Sequence, residues 1–254
     1  MRWPTYLLVS SALTLGAQSI PVTTGANLYS RQKEAALGAK YAQQLRQAAT
    51  PVDNAAALSY VEQMGAKLAA QLPEPRYAYT FALIGNVNGE ALKEPVALPG
   101  GFVFVPASLF LTAQDDGEFA GMLAHAMAHV AERHGTRAAT QNVLGQMAGI
   151  PINSDSGNGT RPASTMFIPA SYVTFSRGYE QEADGLAAKM VSAAGYDAQG
   201  LIRYITRQQT NNLTDTQARG ERIAAMQNAI QSLPHPASSE FLGIQTQLRN
   251  LPQN

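Results

Sequence analysis

Two histidines, His125 and His129, stand four residues apart in the apolar run MLAHAMAHVAE. On a helix that spacing stacks both imidazoles on one face about one turn apart, so a single ion can take a nitrogen from each. A zinc site needs a further protein ligand, and Glu180-Gln181-Glu182-Ala183-Asp184 offers one on a second helical stretch. Glu180 and Asp184 are again four apart. This suits one carboxylate on the ion and another holding the far nitrogen of a ligating imidazole. Glu182 points elsewhere and is a poorer ligand. His134, five residues after His129, sits off the shared face, and His235 lies in a loop between Pro234 and Pro236. Taken singly, the histidine pair also suits packing and the acidic pair a solvated face; their combination is what carries weight.

The residue after the first histidine decides what such a site can do. In H-E-x-x-H zinc sites it is the glutamate that serves as general base for the attacking water. Here it is Ala126. Glu118 lies two turns before the histidines and Glu132 beyond them, and Glu182 faces away from Glu180 on a regular helix, so none is an obvious substitute. Alanine keeps high helix propensity, and folding and metal binding should survive the missing carboxylate.

The elements that must position these groups follow from periodicity. Helical patterns cover 28–48 and a stretch opened by Pro51-Val52-Asp53, and Pro73-Glu74-Pro75 ends the second. Tyr77 to Ile84 alternates as a strand does. Val96 to Val105 reads as a short hairpin or kinked edge around Pro99-Gly100-Gly101. Asp115 and Asp116 open the histidine helix, which is predicted to run past Arg133. Residues 150–165, rich in Gly, Ser, Asn and Pro, form a loop that serves as a lid or as a plain connector. Helices resume over 171–194, ended by Gly195, and over about 198–210, 217–232 and 237–249. No internal repeat appears. The fold class is α+β, mainly helical, with one small sheet in the first half.

Hydrophobic residues make up 45% of the 254 residues, and Lys+Arg 18 balances Asp+Glu 18. That balance, with no basic run interleaved by aromatics, argues against nucleic acid as a partner. Arg2, the apolar run Tyr6–Leu15 and Ala17-Gln18-Ser19 read as a signal peptide over 1–19, followed by a single domain over 20–254. The run is too short to span a bilayer comfortably. No transmembrane anchor is then expected after cleavage, and a periplasmic or secreted location follows. With Cys 0 there is neither a disulfide framework nor a lipid-modified cysteine.

MLAHAMAHVAERHGTR, VALPGGFVFVPASLF and SRGYEQEADGLAAKMVSAAGYD together resemble the HtpX, Oma and CAAX prenyl protease family of zinc metallopeptidases, and most of all its soluble, exported bacterial branch. The resemblance runs from about Lys33 to Ile223. It implies a gluzincin-like domain holding one zinc ion per chain, with His125, His129 and Glu180 as ligands and Asp184 behind them. It makes Ala97-Leu98-Pro99-Gly100-Gly101 the edge strand along which an extended peptide would pair through its backbone. Arg222-Ile223 matches a late Arg-Ile pair of the family, while Thr216 and Gln217 stand where a His-Pro pair is expected.

The resemblance implies endoproteolysis of extended or unfolded polypeptide, with glutamate at position 126. Three readings of Ala126 remain open. The chain is an active endopeptidase with its base knocked out, or a natural pseudopeptidase that binds zinc and peptides without cutting them, or a helical exported protein with no working site. Loss of a general base costs on the order of 10²–10⁴ in rate.

Overall fold

A computed structural model describes residues 25–73, 77–147, 175–207, 213–227 and 238–250. The proposed signal peptide, the 150–165 loop and His235 lie outside them. No helix of the described residues is long and apolar enough to cross a membrane.

The first helix, α1 (Arg31–Ala48), starts where the Ser30 hydroxyl accepts the Lys33 N–H, with Glu34 in its first turn. Strand β1 (Ala49–Pro51) leads into α2 (Ala55–Ala69), capped by Asn54. Then come β2 (Thr80–Val87), β3 (Glu90–Ala91), β4 (Val96–Leu98) and β5 (Phe102–Pro106). The sheet order is β1-β2-β5-β4, with β3 paired to β2, so β4 forms one edge. β2 and β5 run parallel and β4 returns antiparallel on β5. The expected hairpin is therefore present, with Pro99, Gly100 and Gly101 as its turn. Gly100 and Gly101 adopt φ +85° and +98°, a region that side chains avoid.

Alternation along the strands divides the core in two. Ile84, Val96, Leu98 and Phe104 pack against Ala42 and Leu45 of α1. Leu83, Val103 and Val105 face the other way, into a larger core shared with α2, α3 (Ala107–Thr112) and α4 (Asp116–Ala131). The α1 backbone comes so close to the hairpin turn that a Cβ on Gly38 would lie 1.7 Å from the Pro99 carbonyl oxygen.

Helix α4 is the histidine helix, and every residue of it is buried. β4 and β5 lie on one side of it; α2, α6 (Arg177–Ala193) and α7 (Gln199–Arg207) enclose the rest. Its first turn is capped by Asp115, which accepts the Glu118 N–H. The expectation that this helix runs past Arg133 is corrected: α4 ends at Ala131, and α5 (His134–Met147) begins after a break. Arg133 sits in the left-handed region at φ +59°. For a residue with a side chain this costs about 1–2 kcal/mol. Offsetting it, Arg133 Nε donates to both carboxylate oxygens of the buried Glu34 at 3.0 Å, and its guanidinium reaches the Tyr29 carbonyl. Gly195, at φ +83°, ends α6 as expected. Helices α8 (Leu213–Gln227) and α9 (Ser239–Arg249) complete the described chain.

Candidate metal centre

His125 and His129 project from α4 toward Glu180, in the first turn of α6, whose N-cap Ser176 accepts the Tyr179 N–H. The two Nε2 atoms lie 3.1 Å apart. Glu180 Oε2 is 3.4 Å from His125 Nε2, and Oε1 is 3.7 Å from His129 Nε2. Tetrahedral donors at about 2.0–2.1 Å from zinc sit roughly 3.3 Å from one another. The three side chains therefore already have the spacing that a zinc ion requires, and their donor set, two imidazoles and one carboxylate, is one zinc accepts.

Asp184, one turn along α6, stands behind this group, its Oδ1 2.9 Å from His125 Nδ1. Arg222 of α8 grips the same carboxylate twice, Nε at 2.6 Å and Nη2 at 2.8 Å, and Nη2 also lies 3.3 Å from Glu180 Oε2. Burial would lower the His125 imidazole, but Asp184 and Glu180 outweigh it and push it up to about 9. Burial would likewise raise both carboxyls, yet Glu180 is held low by His125 and Asp184 by Arg222 and His125. Without metal, a positive imidazole ties the two acids together; zinc must displace its proton.

Ala126 is buried beside the two histidines and brings no acid. The other acids named from sequence are engaged elsewhere. Glu118 accepts from Arg207 at 2.5 and 2.6 Å. Glu182 accepts from His134 at 3.1 Å and from Arg137 at 2.7 Å. Glu132, His134 and Glu182 form a second cluster of possible donors. There the Arg137 guanidinium, 2.7 Å from Glu182 and 3.9 Å from Glu132, already supplies the positive charge. A cation suits the first cluster and not the second.

Ala97, Pro99 and Gly100 line one shallow cleft with His129, Arg133 and Phe175. The hairpin edge named from sequence thus borders His129, although only Ala97 and Leu98 of that segment are strand. Phe175 stacks on His129 at 3.9 Å and 18°.

The family model for peptidase family M48 matches residues 55–240, which include every group in this site. The chain belongs to peptidase family M48. The M48 resemblance extends to curated proteins. A beta-barrel assembly-enhancing protease of Yersinia pestis is 25% identical over 265 residues, covering 92% of this chain and 54% of that protein. The Escherichia coli protein of the same name is 24% identical, covering 78% and 42%. A putative one from Vibrio cholerae is 26% identical, covering 69% and 37%. This M48 chain therefore spans about half the length, or less, of the curated relatives it matches. The gluzincin-like α+β reading of the sequence agrees with this M48 membership, and a metallopeptidase-type function follows at the level of the family.

Three participants escaped the sequence. Arg222 was noted only as part of a family pair, and its contact with Asp184 has no local signal. His134, read from sequence only as lying off the shared face, is fully buried, with Nδ1 3.0 Å from His129 Nδ1. Glu182 indeed turns away from Glu180, but toward His134 and Arg137. The break at Arg133 accounts for His134, because helical spacing no longer holds across it.

Proposed function

We propose that this chain binds one zinc ion through His125, His129 and Glu180 and receives an extended polypeptide along β4, with little or no turnover while alanine occupies position 126. The convergence of the three donors to 3.1–3.7 Å carries this reading. Zinc, when bound, supplies a Lewis acid for the scissile carbonyl and acidifies a water molecule. Asp184 and Arg222 orient His125 and Glu180 from behind. β4, the end strand of the sheet among the described residues and bordering the same cleft as His129, supports strand addition as the binding mode.

Ala126 favours a peptide-binding member of the family over a working hydrolase. No carboxylate among the described residues stands in its place, and a lost general base costs about 10²–10⁴ in rate. The names of the relatives favour a polypeptide met during β-barrel assembly as the ligand. The signal-like first 19 residues favour action outside the cytoplasm.

The test pairs zinc content of the purified chain with casein cleavage by this chain and by Ala126→Glu. One zinc per chain, with cleavage by the variant far above that of the parent, is expected. Absence of zinc from the purified, zinc-supplemented chain overturns the reading.

A further inference from the structure

We propose that His134 positions His129 for metal binding by fixing which of its two ring nitrogens carries the proton. The inference rests on the zinc reading above and adds to it a residue outside the H-x-x-x-H pair.

His134 lies between two rings, stacked on Tyr179 at 4.5 Å and 17° and edge-on to His129 at 4.9 Å and 74°. It is 0% exposed. Its nitrogens face different partners: Nδ1 is 3.0 Å from His129 Nδ1, and Nε2 is 3.1 Å from Glu182 Oε2. An ionised carboxylate only accepts, so the proton of this second contact belongs to His134 Nε2. Arg137 Nη1 donates to the same oxygen at 2.7 Å, which holds Glu182 in its ionised, accepting form.

A neutral imidazole protonated at Nε2 has a bare Nδ1. The contact with His129 then requires the donor to be His129 Nδ1–H. That in turn leaves His129 Nε2 unprotonated, and Nε2 is the atom facing His125 Nε2 and Glu180 Oε1 at 3.1 and 3.7 Å. Arg137, Glu182, His134 and His129 thus form one chain of donors and acceptors that ends on a nitrogen open toward the metal. A ligating histidine ordinarily gives its other N–H to a carboxylate, a carbonyl or water. His125 has Asp184 on that side; on His129 a neutral imidazole does the work. The opposite proton order, with His134 donating through Nδ1, places His129's proton on Nε2 and closes it to the ion.

Two-bond ¹H–¹⁵N correlation spectra of the full chain, recorded without and with zinc, read the proton positions directly. We expect His134 to be protonated at Nε2 alone in both states. A proton on its Nδ1, alone or in addition, overturns the inference. In parallel, His134→Phe keeps a ring against Tyr179 but offers no acceptor. Its zinc affinity should fall by about 10–100-fold, as for loss of other partners of ligating histidines, and His134→Asn, whose amide oxygen can take the place of Nδ1, should recover part of it. A His134→Phe chain that folds and binds zinc with unchanged affinity also overturns the proposal; if that variant does not fold, the spectra of the parent chain decide. A parent chain that binds no zinc overturns the proposed function, whereas a zinc-binding chain with the wrong proton order overturns this inference alone.

Discussion

Replacing Arg222 by alanine should destabilise the metal-free protein. The Asp184 side chain is 1% exposed and receives two charge-assisted hydrogen bonds from this guanidinium, at 2.6 and 2.8 Å. Removing one partner of a buried pair costs about 3–5 kcal/mol, because the other charge stays buried. Two features move the figure to the low end. Arg222 itself is 22% exposed, so solvent already screens part of the pair. His125 also remains as a second cation, 2.9 Å from Asp184. We therefore expect about 2–3 kcal/mol, which for a domain of this size lowers Tm by roughly 4–12 °C. The assay is a thermal melt in EDTA of the parent, Arg222→Ala, Asp184→Asn and the double variant. If the pair is what matters, Arg222→Ala should cost far less in the Asp184→Asn background, a coupling of at least about 1 kcal/mol. An Arg222→Ala chain melting within 2 °C of the parent, or costs that simply add, would refute the reasoning.

Other expectations concern metal, pH and packing. Asp184→Asn should weaken zinc binding by about 10–100-fold in a competition titration, since it loosens the hold on His125. In the metal-free protein the imidazole of His125 lies near 9 rather than at its ordinary 6.5. Its contribution to stability is therefore complete below about 6.5 and is lost as the pH rises to about 9; urea melts in EDTA across that window check the sign. Over the same window zinc affinity should rise, because the ion no longer has to expel a proton. Saturating zinc at 1,000 times its Kd should add about 4.1 kcal/mol, reversed by chelator. Gly200→Ala should cost about 1–3 kcal/mol or more in a melt, because the new methyl would lie 2.1–2.4 Å from the backbone of Gly117 and Glu118, where α7 crosses α4.

What could be read in advance and what could not divides along sequence distance. His125 and His129, and Glu180 and Asp184, are pairs within single helices, so 3.6-residue spacing alone places them on common faces. The Pro99-Gly100-Gly101 turn likewise announces itself through residue types suited to positive φ. Arg222 meets Asp184 across 38 residues, Glu182 meets His134 across 48, and Arg133 meets Glu34 across 99. Such partners depend on how helices pack, which periodicity does not report. His134 failed for a different reason. Extending α4 past Arg133 hid its contact with His129, and a left-handed arginine is a break that no residue type signals, since glycine is the usual choice there.

That arginine has a consequence for where the folding unit begins. The match to family M48 starts at residue 55, beyond both α1 and β1. Yet the anion that holds Arg133 is Glu34 of α1, which Tyr77 and Thr136 also contact through their hydroxyls. β1 is likewise an outer strand of the sheet, paired to β2. A fragment cut at the family boundary would keep all the proposed metal ligands but expose one face of the sheet. It would also leave Arg133 without its carboxylate, two residues past the metal-bearing helix. The stretch that the family model matches is thus shorter than the unit these contacts hold together, and α1, ahead of residue 55, is the clasp that closes it.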